Sequence, residues 1–202
     1  MKQYAPYDIK IFVTGPFQSG KTKLIHAIDP AAISIERPLP RPHRGETGTT
    51  TTGFDLGRVI WWRESDGKTG IIIPRAEMTS DMETSGILKH IELRGVPGML
   101  HFKFVRDTMR ANTDIVLLVV DSSDREMIEE AIAHLEEARA AFPGKSIKVI
   151  ANKQDRNDAA RPDEVAAWLG VERAIGMSTL DHQACRRVMA EILSTHARSA
   201  QN

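Results

Sequence analysis

The stretch IKIFVTGPFQSGKT, residues 9–22, decides the fold class because a short apolar run leads directly into a glycine-rich pattern. Ile9–Thr14 predicts a buried strand, and Lys21–Ile28 predicts a helix. Between them, Gly15–Thr22 fits the pattern GxxxxGK followed by Ser or Thr. A loop of this kind between a strand and a helix cradles the phosphates of a nucleotide, so the sequence predicts a P-loop NTPase domain.

The residues of this loop have separate expected roles. Backbone N–H groups and the positive potential of the helix N-terminus favour bound phosphates. Lys21 is expected to reach the β and γ phosphates, and the hydroxyl of Thr22 is expected to bind Mg²⁺. The predicted phosphate-binding residues are Gly15, Gln18, Ser19, Gly20, Lys21 and Thr22.

Short apolar runs alternate with helix-period segments along the rest of the chain, which predicts an α/β fold. The run DIVLLVV, residues 114–120, is typical of a strand covered on both faces. Residues 29–52 contain four prolines and predict a long loop, and residues 63–86 predict an inserted hairpin or loop region. We therefore predict one domain over residues 1–197, with a mostly parallel six-stranded sheet and helices on both faces, and a tail at 198–202.

The tetrapeptide NKQD, Asn152–Asp155, follows a further predicted strand and indicates which base is bound. The carboxylate of Asp155 can accept hydrogen bonds from N1–H and N2–H of guanine, a donor pair that adenine lacks. Asn152 is expected to tie this loop to the phosphate loop, and the stem of Lys153 to cover the base. The expected ligands are therefore GTP or GDP with Mg²⁺, bound by a G domain.

Three polar segments allow two interpretations each. Ser178 and Thr179 either belong to a loop whose backbone N–H meets guanine O6 or cap the last helix, and both can hold. The threonine run at 49–52 either supplies a hydroxyl to Mg²⁺ or is a β-prone loop exit. Asp121 either holds a water of the Mg²⁺ shell or caps the turn that follows it.

Bulk properties exclude several classes of function. The chain has 202 residues, and its 27 Lys and Arg balance 27 Asp and Glu, which argues against a bulk grip on nucleic acid. The single cysteine, Cys185, cannot form an internal disulfide and favours a reducing compartment. Neither a signal-peptide core nor a long apolar run is present, and Lys2 excludes N-myristoylation. We expect a cytoplasmic protein without a direct membrane anchor.

With these motifs in order, the chain resembles Ras-superfamily small GTPases over about residues 9–197. The segments TTGF (51–54), VVDSSDRE (119–126) and ANKQD (151–155) are similar to the Arf branch. The segments TGPF (14–17) and GVPG (95–98) are similar to small prokaryotic GTPases grouped with the gliding-motility polarity switch.

This resemblance adds roles that the residues alone do not assign. It implies that Thr51 is the switch threonine and a Mg²⁺ ligand, and that the N–H of Gly98 senses the γ-phosphate. Together with Lys21, these two residues are the expected catalytic set. The resemblance also implies a protein activator or effector, with a small roadblock-type activator as the candidate.

The stretch ELRGVPGM, residues 92–99, departs from the DxxGQ pattern that the resemblance requires there. Gly95 lacks the carboxylate that would hold a Mg²⁺-bound water, and Met99 lacks the amide that would orient the attacking water. Phe17 places a bulky ring near the same site. Arg37, Arg41 and Arg44 either supply a catalytic guanidinium or form a solvated basic loop. We therefore predict slow intrinsic GTP hydrolysis, with a non-cycling guanine-nucleotide-binding scaffold as the alternative.

Overall fold

The computed structural model describes residues 7–38, 49–64, 70–96 and 112–199, and for 36–38 and 49–53 it describes the backbone only. The predicted roles of Gly98 and Met99, and a helix that the sequence predicts at 102–109, lie outside these residues.

Eight strands among the described residues form one sheet, two more than the sequence predicted. Five neighbouring strands run parallel, and the remaining three form antiparallel pairs at one end. The sheet order is β2-β3-β5-β1-β6-β7-β8, with β4 paired to β3. The strands are β1 (Ile9–Thr14), β2 (Ile33–Pro38), β3 (Thr49–Glu64), β4 (Ile71–Pro74), β5 (Gly86–Gly95), β6 (Ile115–Asp121), β7 (Ser146–Asn152) and β8 (Ala174–Gly176).

Strand β2 corrects the prediction that residues 29–52 are a continuous loop. It lies at the edge of the sheet and pairs with β3, but its burial is slight, with Ile33 59% and Ile35 46% exposed. The strand is therefore held by backbone pairing rather than by a buried face. Apolar alternation over so few residues, among prolines, is too weak a signal to predict it.

Helices cover both faces of the sheet, as the sequence predicted. Two helices pack on the face that Ile11 and Leu117 share, and two on the face that Leu118 and Val149 share. Within the described ranges, no helix is long and apolar enough to cross a membrane. The helices are α1 (Lys21–Ile28), α2 (Ser80–Ser85), α3 (Arg125–Ala141), α4 (Pro162–Leu169) and α5 (His182–Ser199).

The segment 63–86 contains more regular structure than an exposed loop. After β4 it forms a 3₁₀ turn at Arg75–Glu77 and then the short helix α2. The indole Nε1–H of Trp62 donates a 2.8 Å hydrogen bond to the carbonyl of Met82, and Glu77 pairs with Arg186 of α5 at 3.4 Å. These contacts hold the segment against the domain. The predicted hairpin is present as the antiparallel pairing of β3 with β4, and the residues after it form short helical turns without buried side chains rather than an irregular loop.

The carboxyl ends of the parallel strands β1, β6, β7 and β8 meet at one edge of the sheet. The loops that follow these strands therefore lie side by side, and they carry most of the predicted site residues. In open parallel sheets, ligands bind outside this edge.

Candidate nucleotide-binding site

The phosphate loop after β1 has a tightly turned backbone that requires glycine at two positions. Gly15, Gln18 and Gly20 all have positive φ, at 141°, 58° and 102°. A Cβ on Gly15 would lie 2.1 Å from the carbonyl oxygen of Val119, and one on Gly20 would lie 2.2 Å from Nδ2 of Asn152. Left-handed residues alternating with right-handed ones form concavities lined by N–H groups, which suit an anion.

Lys21 is folded back across this loop and buried. Its Nζ donates hydrogen bonds to the carbonyl oxygens of Gly15 at 3.0 Å and Pro16 at 2.6 Å. Burial lowers the pKa of Lys21 to about 8, against the opposing charges of Asp55 and Glu130. Phosphate groups would supply the missing negative charge, so the site holds a cation that an anionic ligand would stabilise.

Asn152 joins the loop after β7 to two neighbouring loops. It is fully buried, its Nδ2 donates to the carbonyl of Ser19 at 2.8 Å, and its Oδ1 accepts from the N–H of Thr179 at 3.1 Å. One side chain therefore fixes the phosphate loop, the NKQD loop and the loop after β8 relative to one another. The structure thus brings together the residues that the sequence assigned to the phosphates and to the base.

Asp155 presents an exposed carboxylate that is held from one side. The hydroxyl of Ser178 donates to its Oδ1, and this bond lowers the pKa of Asp155. Ser178 is itself oriented by the N–H of Leu180, 3.2 Å from its Oγ. The carboxylate is therefore ionised at neutral pH and can accept hydrogen bonds from a base.

The loop after β8 does not cap the last helix through Ser178 or Thr179. Asp181 does so, because its Oδ1 accepts the N–H of Ala184 at 2.9 Å. The N–H groups of Thr179 and Leu180 already donate to Asn152 and Ser178. These two groups therefore hold the site together, and the interpretation that another backbone N–H of this loop meets guanine O6 stays a prediction.

Lys153 and Asp121 form an ion pair between the loops after β7 and β6. Lys153 has a positive φ of 65°, which turns its side chain along this loop. The other oxygen of Asp121 accepts from the N–H of Ser123 at 3.0 Å and from its hydroxyl at 2.7 Å. Both carboxylate oxygens of Asp121 are thus engaged, which favours the turn-capping interpretation over the Mg²⁺-water interpretation.

Asp55 is a site residue that the sequence analysis missed. It lies on β3, is 1% exposed, and its Oδ2 accepts a 2.8 Å hydrogen bond from the hydroxyl of Thr22. It faces Gly95 of β5 in register, and a Cβ on Gly95 would lie 2.9 Å from that same oxygen. The Asp55 side chain therefore fills the space that a side chain at residue 95 would need. Residue 95 itself has no carboxylate, as the sequence shows, and the carboxylate beside Thr22 comes from Asp55 of β3 instead.

The donors around Thr22 fit a hard divalent cation. Oδ1 of Asp55 is buried and has no hydrogen-bond partner among the residues that the structure describes. Mg²⁺ in nucleotide sites usually takes one or two protein oxygens, with phosphates and waters completing the shell. Accordingly, the described ranges contain no group of three or more His, Cys, Asp or Glu that would form an all-protein metal site. A signal in the sequence was available, namely an aspartate inside the apolar strand FDLG.

For two of the three residues in the predicted catalytic set, the structure does not describe the groups that would act. Thr51 lies in β3, paired in register with Glu36 of β2, and only its backbone is described. Gly98, like Met99, lies outside the described residues. Of that set, the structure brings Lys21 alone to the phosphate loop with its contacts resolved.

Comparison with known proteins identifies a family model that matches the second half of the chain and curated proteins that are similar to part of the chain. The model of the ADP-ribosylation factor family matches residues 91–199, more than half of the sequence. ADP-ribosylation factor-like protein 5 of Caenorhabditis elegans is 34% identical over 91 residues, which is 42% of this chain and 48% of that protein. The human putative ADP-ribosylation factor-like protein 5C is 36% identical over 70 residues, or 33% of this chain and 38% of that protein. The chain thus spans about half of these relatives or less.

Proposed function

The chain belongs to the ADP-ribosylation factor family, and we propose that it is a single-domain guanine-nucleotide switch that hydrolyses GTP slowly on its own. The observation that supports this most is the position of Asn152, hydrogen-bonded both to Ser19 and to Thr179. This bridge supports the proposal because it holds the phosphate loop beside the loop that carries Asp155, as one nucleotide-binding site would require. A P-loop enzyme of another kind has no need of that link.

Guanine selection would rest on Asp155. Its ionised carboxylate can accept N1–H and N2–H of guanine, while adenine would leave it unpaired. Ser178 would keep the carboxylate in place, and the aliphatic stem of Lys153, anchored by its ion pair to Asp121, would cover the base. At the other end, Lys21 and the N–H groups of the phosphate loop would bind the phosphates.

Thr22 and Asp55 would hold the Mg²⁺ ion that accompanies the nucleotide. Bound Mg²⁺ would neutralise part of the negative charge of the nucleotide phosphates. The hydroxyl of Thr22 offers a direct ligand, and the unpartnered Oδ1 of Asp55 offers an acceptor for a metal-bound water. Thr51 is the proposed second hydroxyl ligand, and Gly98 the proposed sensor of the γ-phosphate.

Slow hydrolysis follows from Met99, which stands where a water-orienting amide belongs. A methionine packs well but cannot steer or activate a water. The second candidate is a scaffold that binds guanine nucleotide and does not cycle, and the same residue favours it. The two differ only in whether bound GTP is cleaved.

Two measurements on purified protein test this function. Extraction of the bound nucleotide should give GDP or GTP, and recovery of adenine nucleotide would contradict guanine selection. Single-turnover hydrolysis of bound GTP should proceed at about 10⁻⁴ s⁻¹ or below. GTP that remains intact for days would establish the scaffold, and a rate of about 1 s⁻¹ would contradict the role given to Met99.

Location and partners are further proposals. A cytoplasmic site suits the single thiol of Cys185, which is buried and whose pKa burial raises to about 11, so that it is unreactive. A protein activator, of which a roadblock-type protein is one candidate, would supply the missing catalytic group. The likeness of GVPG to prokaryotic GTPases stays a prediction, and the two relatives named above come from animals.

A further inference from the structure

We propose that Asp29 is a positioning residue for the Mg²⁺ site, because it holds β3 against α1 so that Asp55 meets Thr22. This inference rests on the proposed function, since it concerns the carboxylate that would serve the metal. Asp29 lies at the C-terminal end of α1, at the opposite end of the helix from Thr22.

Among the described residues, the Asp29 carboxylate accepts its hydrogen bonds from backbone N–H groups. It is almost fully buried, its Oδ2 accepts the N–H of Arg58 on β3 at 2.7 Å, and its Oδ1 accepts the N–H of Ala31 at 3.0 Å. A buried carboxylate that takes two backbone N–H groups fixes the main chain on which they lie. One of the two lies three residues after Asp55.

The tether to Arg58 fills an interruption in the pairing of β3. On one side β3 pairs with β5 throughout this region, but on the other side β2 pairs up to Leu56 and β4 begins at Val59. Gly57 and Arg58 thus have no strand partner on that side within the described residues. Asp29 supplies the acceptor that a neighbouring strand would otherwise offer.

The two hydrogen bonds between α1 and β3 match in spacing. Thr22 and Asp29 are seven residues apart, which is about 10.5 Å along a helix. Asp55 and Arg58 are three residues apart, which is about 10 Å along a strand. Because the bonds join both ends of the helix to matching points on the strand, they fix how far β3 can slide along α1.

Between these bonds the helix and the strands are too close for a side chain. A Cβ on Gly57 would lie 2.9 Å from Cγ2 of Ile25, and one on Gly95 would lie 2.7 Å from Cδ1 of the same residue. Because α1 and β3 pack this closely, a small shift of the β3 backbone at Arg58 should also shift Asp55. Loss of the Asp29 tether should therefore weaken the Mg²⁺ site without removing any group that binds metal or nucleotide.

The test is the Mg²⁺ dependence of GDP release, measured on the full chain for wild type, Asp29→Ala and Ser34→Ala. Ser34 is a matched control, because it shares a 2.8 Å hydrogen bond with His26 and so joins the same helix to the neighbouring strand β2. Asp29→Ala should raise the Mg²⁺ concentration for half-maximal slowing of release roughly tenfold, as loss of a supporting shell does in metal sites. Release in EDTA should change little in either variant.

A second measurement reports the tether directly. Amide hydrogen exchange at Arg58 should be slow in wild type and faster in Asp29→Ala. The positioning role is wrong if Asp29→Ala accelerates exchange at Arg58 but leaves the Mg²⁺ requirement at the wild-type value. It is also wrong if Ser34→Ala raises the Mg²⁺ requirement as much as Asp29→Ala does. If Asp29→Ala does not fold, Asp29→Asn keeps one acceptor oxygen and should give an intermediate Mg²⁺ requirement, and a wild-type value there contradicts the role.

Asp55→Asn separates failure of this inference from failure of the proposed metal site. If Mg²⁺ slows GDP release equally in wild type and Asp55→Asn, Asp55 does not serve the metal, and both proposals fall. If Asp55→Asn raises the Mg²⁺ requirement and Asp29→Ala does not, the metal site stands and only the positioning role is overturned.

Discussion

The proposed base-binding and metal-binding ends of the site both rest on hydrogen bonds between loops and strands, but only the base-binding end is visible in the sequence as a continuous motif. At the base end, Asn152, Lys153 and Asp155 lie within four consecutive residues that begin at the last residue of β7. At the metal end, Thr22 and its carboxylate partner Asp55 come from a helix and a distant strand. A departure from a linear motif therefore shows that a residue has changed, not that its chemistry is missing.

The largest effect is expected at the base end. Asp155→Asn should weaken GTP binding roughly 10- to 100-fold, because the guanine N1–H and N2–H would lose their charged acceptor. The same variant should bind xanthine nucleotides relatively better. Competition binding with GTP and XTP measures both changes. Ser178→Ala is the control, because it retains the carboxylate of Asp155 and should lose less GTP affinity. Equal affinity for GTP in wild type and Asp155→Asn would contradict the assignment.

The equivalence of Asp55 and a carboxylate at residue 95 can be tested by moving the group. Gly95→Asp alone should destabilise the protein, because its Cβ would lie 2.9 Å from the carboxylate of Asp55. Combined with Asp55→Gly, the new aspartate gains the space of the Asp55 side chain, and the end of the Ile25 side chain, whose Cδ1 would lie 2.7 Å from the new Cβ, must rotate aside. The double variant should then recover roughly tenfold of the Mg²⁺ affinity lost in Asp55→Gly alone. Mg²⁺ titrations of GDP release compare the three variants. If the double variant binds Mg²⁺ no better than Asp55→Gly, the two positions are not equivalent.

The phosphate side should respond to pH through Lys21. Burial lowers the pKa of Lys21 to about 8 in the free protein, and bound phosphates should raise this pKa. Above pH 8, Lys21 must therefore take up a proton when the nucleotide binds, which weakens binding. GDP affinity should therefore be level below pH 8 and fall by up to tenfold between pH 8 and 9. Titration calorimetry across pH 7–9 measures this, and Lys21→Arg should give a flat profile, because arginine stays charged. If the GDP affinity of the wild type stays constant from pH 7 to 9, protonation of Lys21 does not control nucleotide binding.

The smallest effect concerns the attacking water. Met99→Gln combined with Phe17→Gly should raise single-turnover GTP hydrolysis a fewfold, since an amide would be present with space to reach the water. Met99→Gln alone should do less, because the ring of Phe17 remains. If neither variant exceeds the wild-type rate, the slow turnover has a cause other than the side chain at residue 99.

Much of the fold could be predicted because its signals are local. The strand, the glycine loop and the helix over residues 9–28 follow from consecutive residues, and so do the continuous apolar strand β6 and the NKQD loop. Strand β2 and helix α2 could not be predicted in this way. Strand β2 is held by pairing with β3 and alternates over too few residues to be recognised, and α2 has no buried side chain and therefore no apolar face.

The amino-acid sequence alone determined which chemical groups this protein has. A short motif is enough to predict a site wherever the groups of that site follow one another along the chain. Which groups meet across the sheet depends on strand register, because a shift of one residue turns every side chain to the other face. The pairing of Asp55 with Gly95 follows from that register, and so does the closeness of both to Ile25. A glycine that seemed to remove a carboxylate proves instead to make room for one from the neighbouring strand, because two side chains cannot occupy the same space in a close-packed interior.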